Sequence, residues 1–513
     1  MPKLRNDQYL TITGGENYSP HLPIKMSEEP FIKKLKTKDN FYIYDVNTNN
    51  ILKTDLITWS IIDDYPRRSQ IAVENKWKSY FEKKSIILAI SNLDKIKKEE
   101  NLFSSLRPKT IRHNLSKKEI IYNLDNNINQ LTLEITEKCN LRCTYCIYSG
   151  KFRYKRVHSD KSMSFDIAKR AIDFYIEHSK ENEKPSITFY GGEPLCNFDL
   201  VKKCIEYAKS RTTKSILFGI TTNGTLLSPR VSNYLLKNDC SITISLDGPQ
   251  SIHDKYRVFP SGKGTYSIIM KNLKSIPSEN ISFNVTISPP YELKKIKDYF
   301  DHLSIGEREY MINITLVAKE DSSLFRCNKQ DCFTELKSQI IGIRQEFKNN
   351  LIEGMGNRSP FLRYFFQKNL LEIKKRGIFE KFGDFQYPNR ICIPGKRKLF
   401  VNTLGDFFIC ENMTDFRSIG NVFTGFNYIE IFNILDEYIK YCNIDCLDCW
   451  AIRLCNFCFV AVKKGPVLDL DRKRIKCKKM KERLQASLEF YLEILEKNPR
   501  AFDFLNDIIY ITE

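Results

Sequence analysis

The sequence predicts an α/β protein built on a partial (β/α)6 barrel, with a small N-terminal domain before it and a cysteine-rich domain after it. Three observations carry that prediction. Six segments rich in Ile, Thr, Val and Phe recur at 131–136, 186–190, 216–222, 241–246, 281–287 and 311–317, with helix-period stretches between several of them. Strands that alternate with helices form parallel β/α units, and six such units make an open, TIM-like barrel. The short polar motifs follow the strands, at the carboxyl ends where ligands of such barrels sit. Ten of the 16 cysteines fall into two spaced sets, one behind the first barrel strand and one in the last quarter of the chain.

Residues 41–55 read as a hairpin, with FYIYDV and ILKTD flanking the turn Asn47, Thr48, Asn49 and Asn50. Helix-like stretches follow at 56–62 and 71–85. In the barrel, 164–178 is a helix that Ser164 can cap, with Ile167, Ala168, Ala171, Ile172 and Tyr175 on one face. Residues 320 to about 388 are amphipathic and carry Phe361, Tyr364, Phe365 and Phe366, which suits a bridge between barrel and cysteine-rich domain. A last helix is expected at 479–497. The expected domains are 1–127, 128–319, 320–388, 389–480 and 481–513, a division that a chain of 513 residues favours over one core.

The first cysteine set, Cys139, Cys143 and Cys146, has the spacing C-x3-C-x2-C and follows the first barrel strand directly. Three thiolates this close can hold three irons of a four-iron, four-sulfur cluster and leave the fourth iron open for chemistry. Structural zinc sites favour C-x2-C pairs with four ligands and no open position, so zinc fits less well, as does chance clustering.

This spacing and context resemble the radical S-adenosylmethionine enzymes. The resemblance implies that the open iron chelates the amine and carboxylate of S-adenosylmethionine and that reduction yields a 5'-deoxyadenosyl radical, with the protein binding, orienting and excluding side reactions. Gly191, Gly192, Glu193 and Pro194 match the GGEP motif of that family: glycines allow close backbone approach, and Glu193 is expected to accept the ammonium hydrogens. After the third strand comes Thr221-Thr222-Asn223-Gly224, and after the fourth Ser245-Leu246-Asp247-Gly248-Pro249, then His253, Asp254 and Arg257. By resemblance Asn223 and Ser245 approach the cofactor's ribose and methionine portions, and Arg257 its carboxylate. Asp247 is expected at ribose or substrate, and Tyr145, the aromatic before the last cysteine, joins the cofactor set. Turn chemistry is the competing reading for Asn-Gly and Asp-Gly-Pro. His253 and Asp254 read as structural, and Cys196, Cys204 and Cys240, in or beside apolar segments, as small hydrophobes.

The second set runs Cys392-x12-Gly405-x4-Cys410, then Cys446-x2-Cys449-x5-Cys455-x2-Cys458, then Cys477. It resembles the SPASM domain, an auxiliary iron-sulfur module of radical enzymes that modify peptides and proteins, although the last pair is spaced by two where three is usual. The resemblance implies two auxiliary four-iron, four-sulfur clusters, one on Cys446, Cys449, Cys455 and Cys477 and one on Cys392, Cys410 and Cys458. With three thiolates, the latter has an open iron for a substrate thiolate, unless Cys442, Cys327 or Cys332 completes it. Paired C-x2-C is also zinc grammar.

Residues 41–85, a hairpin followed by helices, are similar to the winged-helix domain by which peptide-modifying enzymes recognise a leader peptide as an added strand. A plain scaffold is the alternative. Taken together the resemblance implies a peptide maturase acting on a ribosomally made precursor with a leader, forming a cysteine thioether, with flavodoxin or ferredoxin as electron donor. Formylglycine formation on a sulfatase, carbon-carbon crosslinking, or a non-catalytic electron carrier are the alternatives. No residue is nominated as substrate-side acid or base.

Composition agrees with an intracellular enzyme: 42% of residues are hydrophobic, no 18-residue apolar run occurs, and the start MPKLRNDQYL lacks a signal-peptide core. Cytoplasmic cysteines stay reduced and available to clusters. The net charge of +19 is spread rather than striped and accompanies no nucleic-acid motif, so a solvated surface is the default reading, no nucleic acid or membrane partner is expected, and attraction to an acidic peptide is the alternative.

Overall fold

The computed structural model describes residues 29–506 apart from 66, 275, 277–279, 305–309, 318–328, 356–357 and 390. Cys327 and the side chain of Cys332 lie outside the described residues, as do the first 28 residues of the expected leader-binding region.

The chain starts with an antiparallel meander, β1 (Ile32–Lys36), β2 (Phe41–Asp45) and β3 (Asn50–Thr54). The expected hairpin is β2–β3; β1 is an additional edge strand. Helices α1 (Leu56–Ile61), α2 (Gln70–Trp77) and α3 (Lys83–Glu100) cover one face, where Ile43, Ile61, Ile86 and Leu93 form a small core of their own. The stretch expected as one helix over 71–85 is thus two helices, parted at Trp77 and Lys83. The other face gives Leu35, Tyr42 and Tyr44 to the main core. Alternation along the strands splits the side chains between the two cores. The two-residue β4 (Thr110–Ile111) and α4 (Lys117–Asn126), which Ser116 and Glu119 close with a capping box, lead into the barrel.

The barrel strands form where the apolar runs predict: β5 (Gln130–Thr136), β6 (Ser186–Gly191), β7 (Leu217–Thr222), β8 (Cys240–Ser245), β9 (Ile281–Ile287) and β10 (Met311–Leu316). Each is parallel to the next, so the order is β10-β9-β8-β7-β6-β5. Their buried positions are filled mostly by Ile, Leu, Val and Phe, alternating in β6, β8 and β9 with less buried residues, and this enrichment makes them visible in the sequence. Between them run α5 (Phe165–Glu177), α6 (Phe198–Arg211), α7 (Pro229–Lys237), α8 (Gln250–Tyr256), α9 (Tyr266–Leu273) and α10 (Leu293–His302). Ser164 accepts from Ile167 N to cap α5, whose Ala168, Ala171, Ile172 and Tyr175 are buried.

Helices α11 (Lys329–Ile352) and α12 (Pro360–Lys374) follow the barrel strands in the chain, then the two-residue β11 (Phe385–Gln386), which pairs with β4. The sheet then continues past β5. Strand β12 (Leu399–Val401) pairs parallel with it, Leu399 opposite Leu131 and Val401 opposite Leu133, and β13 (Phe407–Phe408) returns antiparallel. Gly405 makes the turn at φ +92°, where a Cβ would stand 2.7 Å from Val422 Cγ2. The second cysteine region is therefore fused to the barrel sheet at its open edge. It continues through β14 (Gly420–Asn421), β15 (Gly425–Phe426), α13 (Tyr428–Asp445), α14 (Phe459–Val462), β16 (Lys463–Lys464) and β17 (Val467–Leu468).

The last helix, α15 (Leu470–Leu495), is longer than expected. Asp469 caps it by accepting from Arg472 N, so it begins nine residues before 479 and carries Cys477 within it.

Candidate iron-sulfur and cofactor site

The loop of Cys139, Cys143 and Cys146 leaves β5 and is held by backbone bonds from two sides. Gly192 N donates to Thr136 O at 2.7 Å and Glu193 N to Lys138 O at 2.8 Å; on the other side Arg142 N donates to Val258 O at 2.8 Å and Thr144 N to Tyr256 O at 2.9 Å. The glycines of the GGEP motif permit this closeness. A Cβ on Gly191 would meet Thr136 O at 2.3 Å, and one on Gly192 would meet Lys138 O at 2.3 Å. The close approach they allow is thus to the cysteine loop. Gly192→Ala is expected to push that loop off β6 and cut iron retained after anaerobic reconstitution, read as iron per chain; unchanged iron would show that the loop tolerates the shift.

Glu193 is 1% exposed and ties β6 to β7. Its Oε1 accepts from Thr222 Oγ1 at 2.7 Å and Leu195 N at 3.1 Å, its Oε2 from Asn223 N at 2.7 Å, and burial raises its carboxyl to about 7 despite these bonds. Pro194 opens a single 3-10 turn behind it. Asn223 Nδ2 donates to Asn140 Oδ1 at 2.9 Å, and Asn140 Nδ2 to Thr225 Oγ1 at 2.8 Å, linking the end of β7 to the residue after Cys139. Sequence reasoning missed Asn140.

The three thiols are half-buried. Leu141 N donates to Cys139 Sγ and Tyr148 N to Cys146 Sγ, each at 3.4 Å, and His158 Nε2 lies 3.6 Å from Cys146 Sγ. Burial pushes Cys139 up to about 12 and Cys143 up to about 11. Three thiolates here need a strong positive partner, and iron supplies one; backbone N–H groups aimed at the sulfurs suit a cluster's ligands. The donor set fits a four-iron, four-sulfur cluster. Among the described residues, no three His, Cys, Asp or Glu side chains converge tightly enough for a single metal ion.

Across from the loop, Asp247 is fully buried at the end of β8 and gathers the other candidates. Arg257 Nε donates to its Oδ2 at 2.9 Å and Nη2 to its Oδ1 at 3.1 Å; Thr286 N donates to Oδ1 at 2.9 Å, and Tyr145 Oη bonds Oδ2. Burial opposes the Arg257 charge and the Asp247 carboxylate outweighs it, so the guanidinium stays firmly charged beside Cys143. His253 Nδ1 accepts from Asp247 N at 3.3 Å while Nε2 meets Thr265 Oγ1 at 2.9 Å; burial lowers this imidazole to about 4. Asp254 Oδ1 accepts from Thr265 N and Tyr266 N at the start of α9. Ser245 is half-buried at the end of β8, opposite Asn284.

In the C-terminal region Cys446, Cys449, Cys455 and Cys477 are electrostatic neighbours, and Cys410 and Cys458 form a second neighbourhood. Cys392 lies half-buried against the main core. The Cys442 thiol hydrogen-bonds Cys446, which places it beside the first of these groups. Sequence reasoning also missed Lys473, 1% exposed on α15, whose Nζ stands 3.3 Å from Cys446 Sγ and 3.5 Å from Asp445 Oδ2. Buried Tyr438 is close to Cys442, Cys446, Cys455 and Cys458, between the two groups. Cys392 aside, the described cysteines form no disulfide. A cavity of about 1100 Å³ is bordered by Ile147, next to Cys146, and by Cys458.

Residues 133–303 match the model of the radical SAM superfamily. The chain carries a radical SAM domain. Its relatives include the radical SAM cyclopropyl synthase TigE of Paramaledivibacter caminithermalis, 25% identical over 67% of this chain and 71% of the relative. A cysteine-type anaerobic sulfatase-maturating enzyme of Clostridium perfringens is 27% identical over 62% of this chain and 85% of its own. An uncharacterized protein of Methanocaldococcus jannaschii is 30% identical over 47% of this chain and 74% of its own. Native anSMEcpe with bound AdoMet aligns with a TM-score of 0.54 and 22% identity, over 74% of this chain and all of that one, and shows the same fold. The radical SAM match implies S-adenosylmethionine and a four-iron, four-sulfur cluster as cofactors. No helix among the described residues is long and apolar enough to cross a membrane.

Proposed function

We propose that this radical SAM protein is a cytoplasmic peptide maturase that abstracts hydrogen from a ribosomally made, leader-bearing precursor and joins a peptide cysteine to carbon as a thioether. The observation that carries this reading is the cavity bordered by both Ile147 and Cys458, which gives a peptide one space beside the radical-generating loop and an auxiliary cysteine set. Named relatives that mature sulfatases or make cyclopropyl groups support a modifying role in general.

Cys139, Cys143 and Cys146 would hold the cluster that, with S-adenosylmethionine and an electron from a flavodoxin or ferredoxin, supplies hydrogen-atom abstraction. Cys446, Cys449, Cys455 and Cys477 would hold one SPASM-type cluster and Cys392, Cys410 and Cys458 another, to bind substrate sulfur, take up the electron left by bond formation, or both. In the cofactor seat Glu193 has three of a carboxylate's roughly four lone-pair positions filled, which leaves one for an ammonium hydrogen. Arg257 keeps Nη1 outside its bonds to Asp247 and can offer it to a carboxylate. Asn223 and Ser245 sit at the strand ends beside this seat, Tyr145 closes it against Asp247, and Gly191, Gly192 and Pro194 hold its wall to the cysteine loop. The edge strand β1 would receive the leader peptide.

Formylglycine formation is the second reading, favoured by the sulfatase-maturating relatives. The test is anaerobic reconstitution with reductant and S-adenosylmethionine, offering a cysteine-containing peptide encoded beside the gene and a sulfatase-derived peptide in separate reactions. Production of 5'-deoxyadenosine with modification of the first supports thioether maturation; modification of the second alone overturns it. No 5'-deoxyadenosine from fully loaded protein would leave an electron carrier.

A further inference from the structure

The cavity between the cysteine loop and Cys458 carries a charge that the maturase reading does not require. Eight lysines and arginines line it against two carboxylates. One of the two, Asp415, is already shared: Lys155 Nζ stands 2.6 Å from its Oδ1, and Lys463 Nζ bonds that same oxygen. The side chains of Lys155, Lys463 and Asp415 are 14%, 9% and 6% exposed. Two ammonium groups on one carboxylate leave a positive charge in a largely desolvated wall, where an unmatched charge is costly. Each ammonium has three donors and no acceptor, so a second anion is the group that completes them. Lys155 gives another donor to Asn412 O at 3.1 Å, a neutral acceptor that leaves the charge unmatched.

Three more cations, Lys337, Lys368 and Lys479, are exposed around the same cavity. A rim of one sign over low-dielectric walls focuses the field and draws in chains of opposite charge. Between the cations the lining is apolar, with Phe152, Phe457 and Val460, which gives side chains of a peptide somewhere to pack.

Resting on the peptide-maturase reading, we propose that the substrate segment held in this cavity is acidic, and that one of its carboxylates docks on Lys155 and Lys463 beside Cys458. A carboxylate there turns a two-to-one cluster of charges into a two-to-two cluster. Two ammonium groups meeting at one point suit a single carboxylate.

The test uses the full chain, anaerobically reconstituted, and fluorescence anisotropy with two synthetic fluorescein-labelled peptides. One alternates glutamate with glycine around a single cysteine; the other has glutamine for every glutamate. Free glutamate, inorganic phosphate and a short oligouridine serve as competitors. The glutamate peptide is expected to bind at least about tenfold more tightly than the glutamine peptide, the scale of one charge-assisted contact. The substitutions Lys155→Gln and Lys463→Gln are each expected to erase most of that difference. The exposed pair Lys368→Glu with Lys479→Glu, on the rim and away from the buried wall, is expected to weaken the glutamate peptide and flatten its salt dependence. Iron per chain, measured on every variant, reports folding, and the rim pair keeps the question answerable if the buried substitutions do not fold.

Equal binding of the two peptides, a rim pair without effect, or displacement of the glutamate peptide by oligouridine more readily than by unlabelled peptide would overturn the proposal. Displacement by free glutamate or phosphate at the same concentration as the unlabelled peptide would do so as well, by showing an anion site without peptide recognition. The same samples are assayed for 5'-deoxyadenosine. Its absence from wild-type protein counts against the enzyme reading, whereas the contrast between peptides is judged on binding alone.

Discussion

Cys143→Ala is expected to abolish 5'-deoxyadenosine formation while leaving the barrel folded. The loop around Cys143 is held by backbone bonds to Gly192, Glu193, Tyr256 and Val258 that do not use its thiol. Removing the sulfur therefore takes away a cluster ligand and little packing. Two remaining thiolates hold a four-iron cluster poorly, so iron per chain should fall by about four if the cluster is lost whole. The thermal midpoint of the iron-free proteins should stay close to wild type, because a half-buried loop thiol contributes little to the core. A variant that retains full 5'-deoxyadenosine production would show that Cys143 holds no iron.

The second large effect is expected at Asp247→Asn. This carboxylate is 0% exposed and holds Arg257 through two bonds, Tyr145 through its hydroxyl and β9 through Thr286 N. An amide of the same shape keeps acceptor capacity on one side only and turns an NH2 toward a donor. It also leaves the Arg257 charge unmatched in a buried position. Removing one partner of such a pair costs about 3–5 kcal/mol. The prediction is a clear fall in thermal midpoint, together with loss of S-adenosylmethionine binding by equilibrium dialysis. Pairing it with Arg257→Met, so that both charges go, should recover part of the stability and none of the binding. If the single substitution costs no more than the double, the charge pair is not what holds this end of β8.

These effects concern residues that the sequence could name without revealing how they meet. The six barrel strands were legible because their apolar and β-branched residues recur in short runs, as in β9 (Ile281–Ile287), where Ile281, Phe283, Val285 and Ile287 alternate with polar residues and are the buried ones. Strand β12 was not, because three residues, Leu399 to Val401, carry no periodicity, and their partner β5 lies more than 260 residues earlier. Strand β1, with the sequence IKKLK, escaped for a related reason: lysines suit an edge and hide the strand in composition. The helix expected at 479–497 starts earlier, at Leu470, because Asp469 caps it.

The site shows the same division. Spacing singles out the loop of Cys139, Cys143 and Cys146 as a candidate, since ligand chemistry is local. The glycines were correctly taken as places of close backbone approach, but the approaching group is the cysteine loop itself, a long-range contact. The Asp247 and Arg257 pairing was not foreseen, although the residues are ten positions apart, because it depends on how α8 folds back across the strand end. Lys473 against Cys446, and Lys155 with Lys463 on Asp415, left no motif at all: a lysine in a chain with 81 lysines and arginines is inconspicuous until its burial is known.

The measurement that tests the central claim most directly is the mass of a cysteine-containing precursor peptide after incubation with reconstituted enzyme, reductant and S-adenosylmethionine. The account predicts a product that has lost two hydrogens, whose cysteine no longer reacts with an alkylating reagent, formed alongside 5'-deoxyadenosine. A peptide of unchanged mass with a free thiol, in a reaction that converts a sulfatase-derived cysteine to formylglycine, would contradict it.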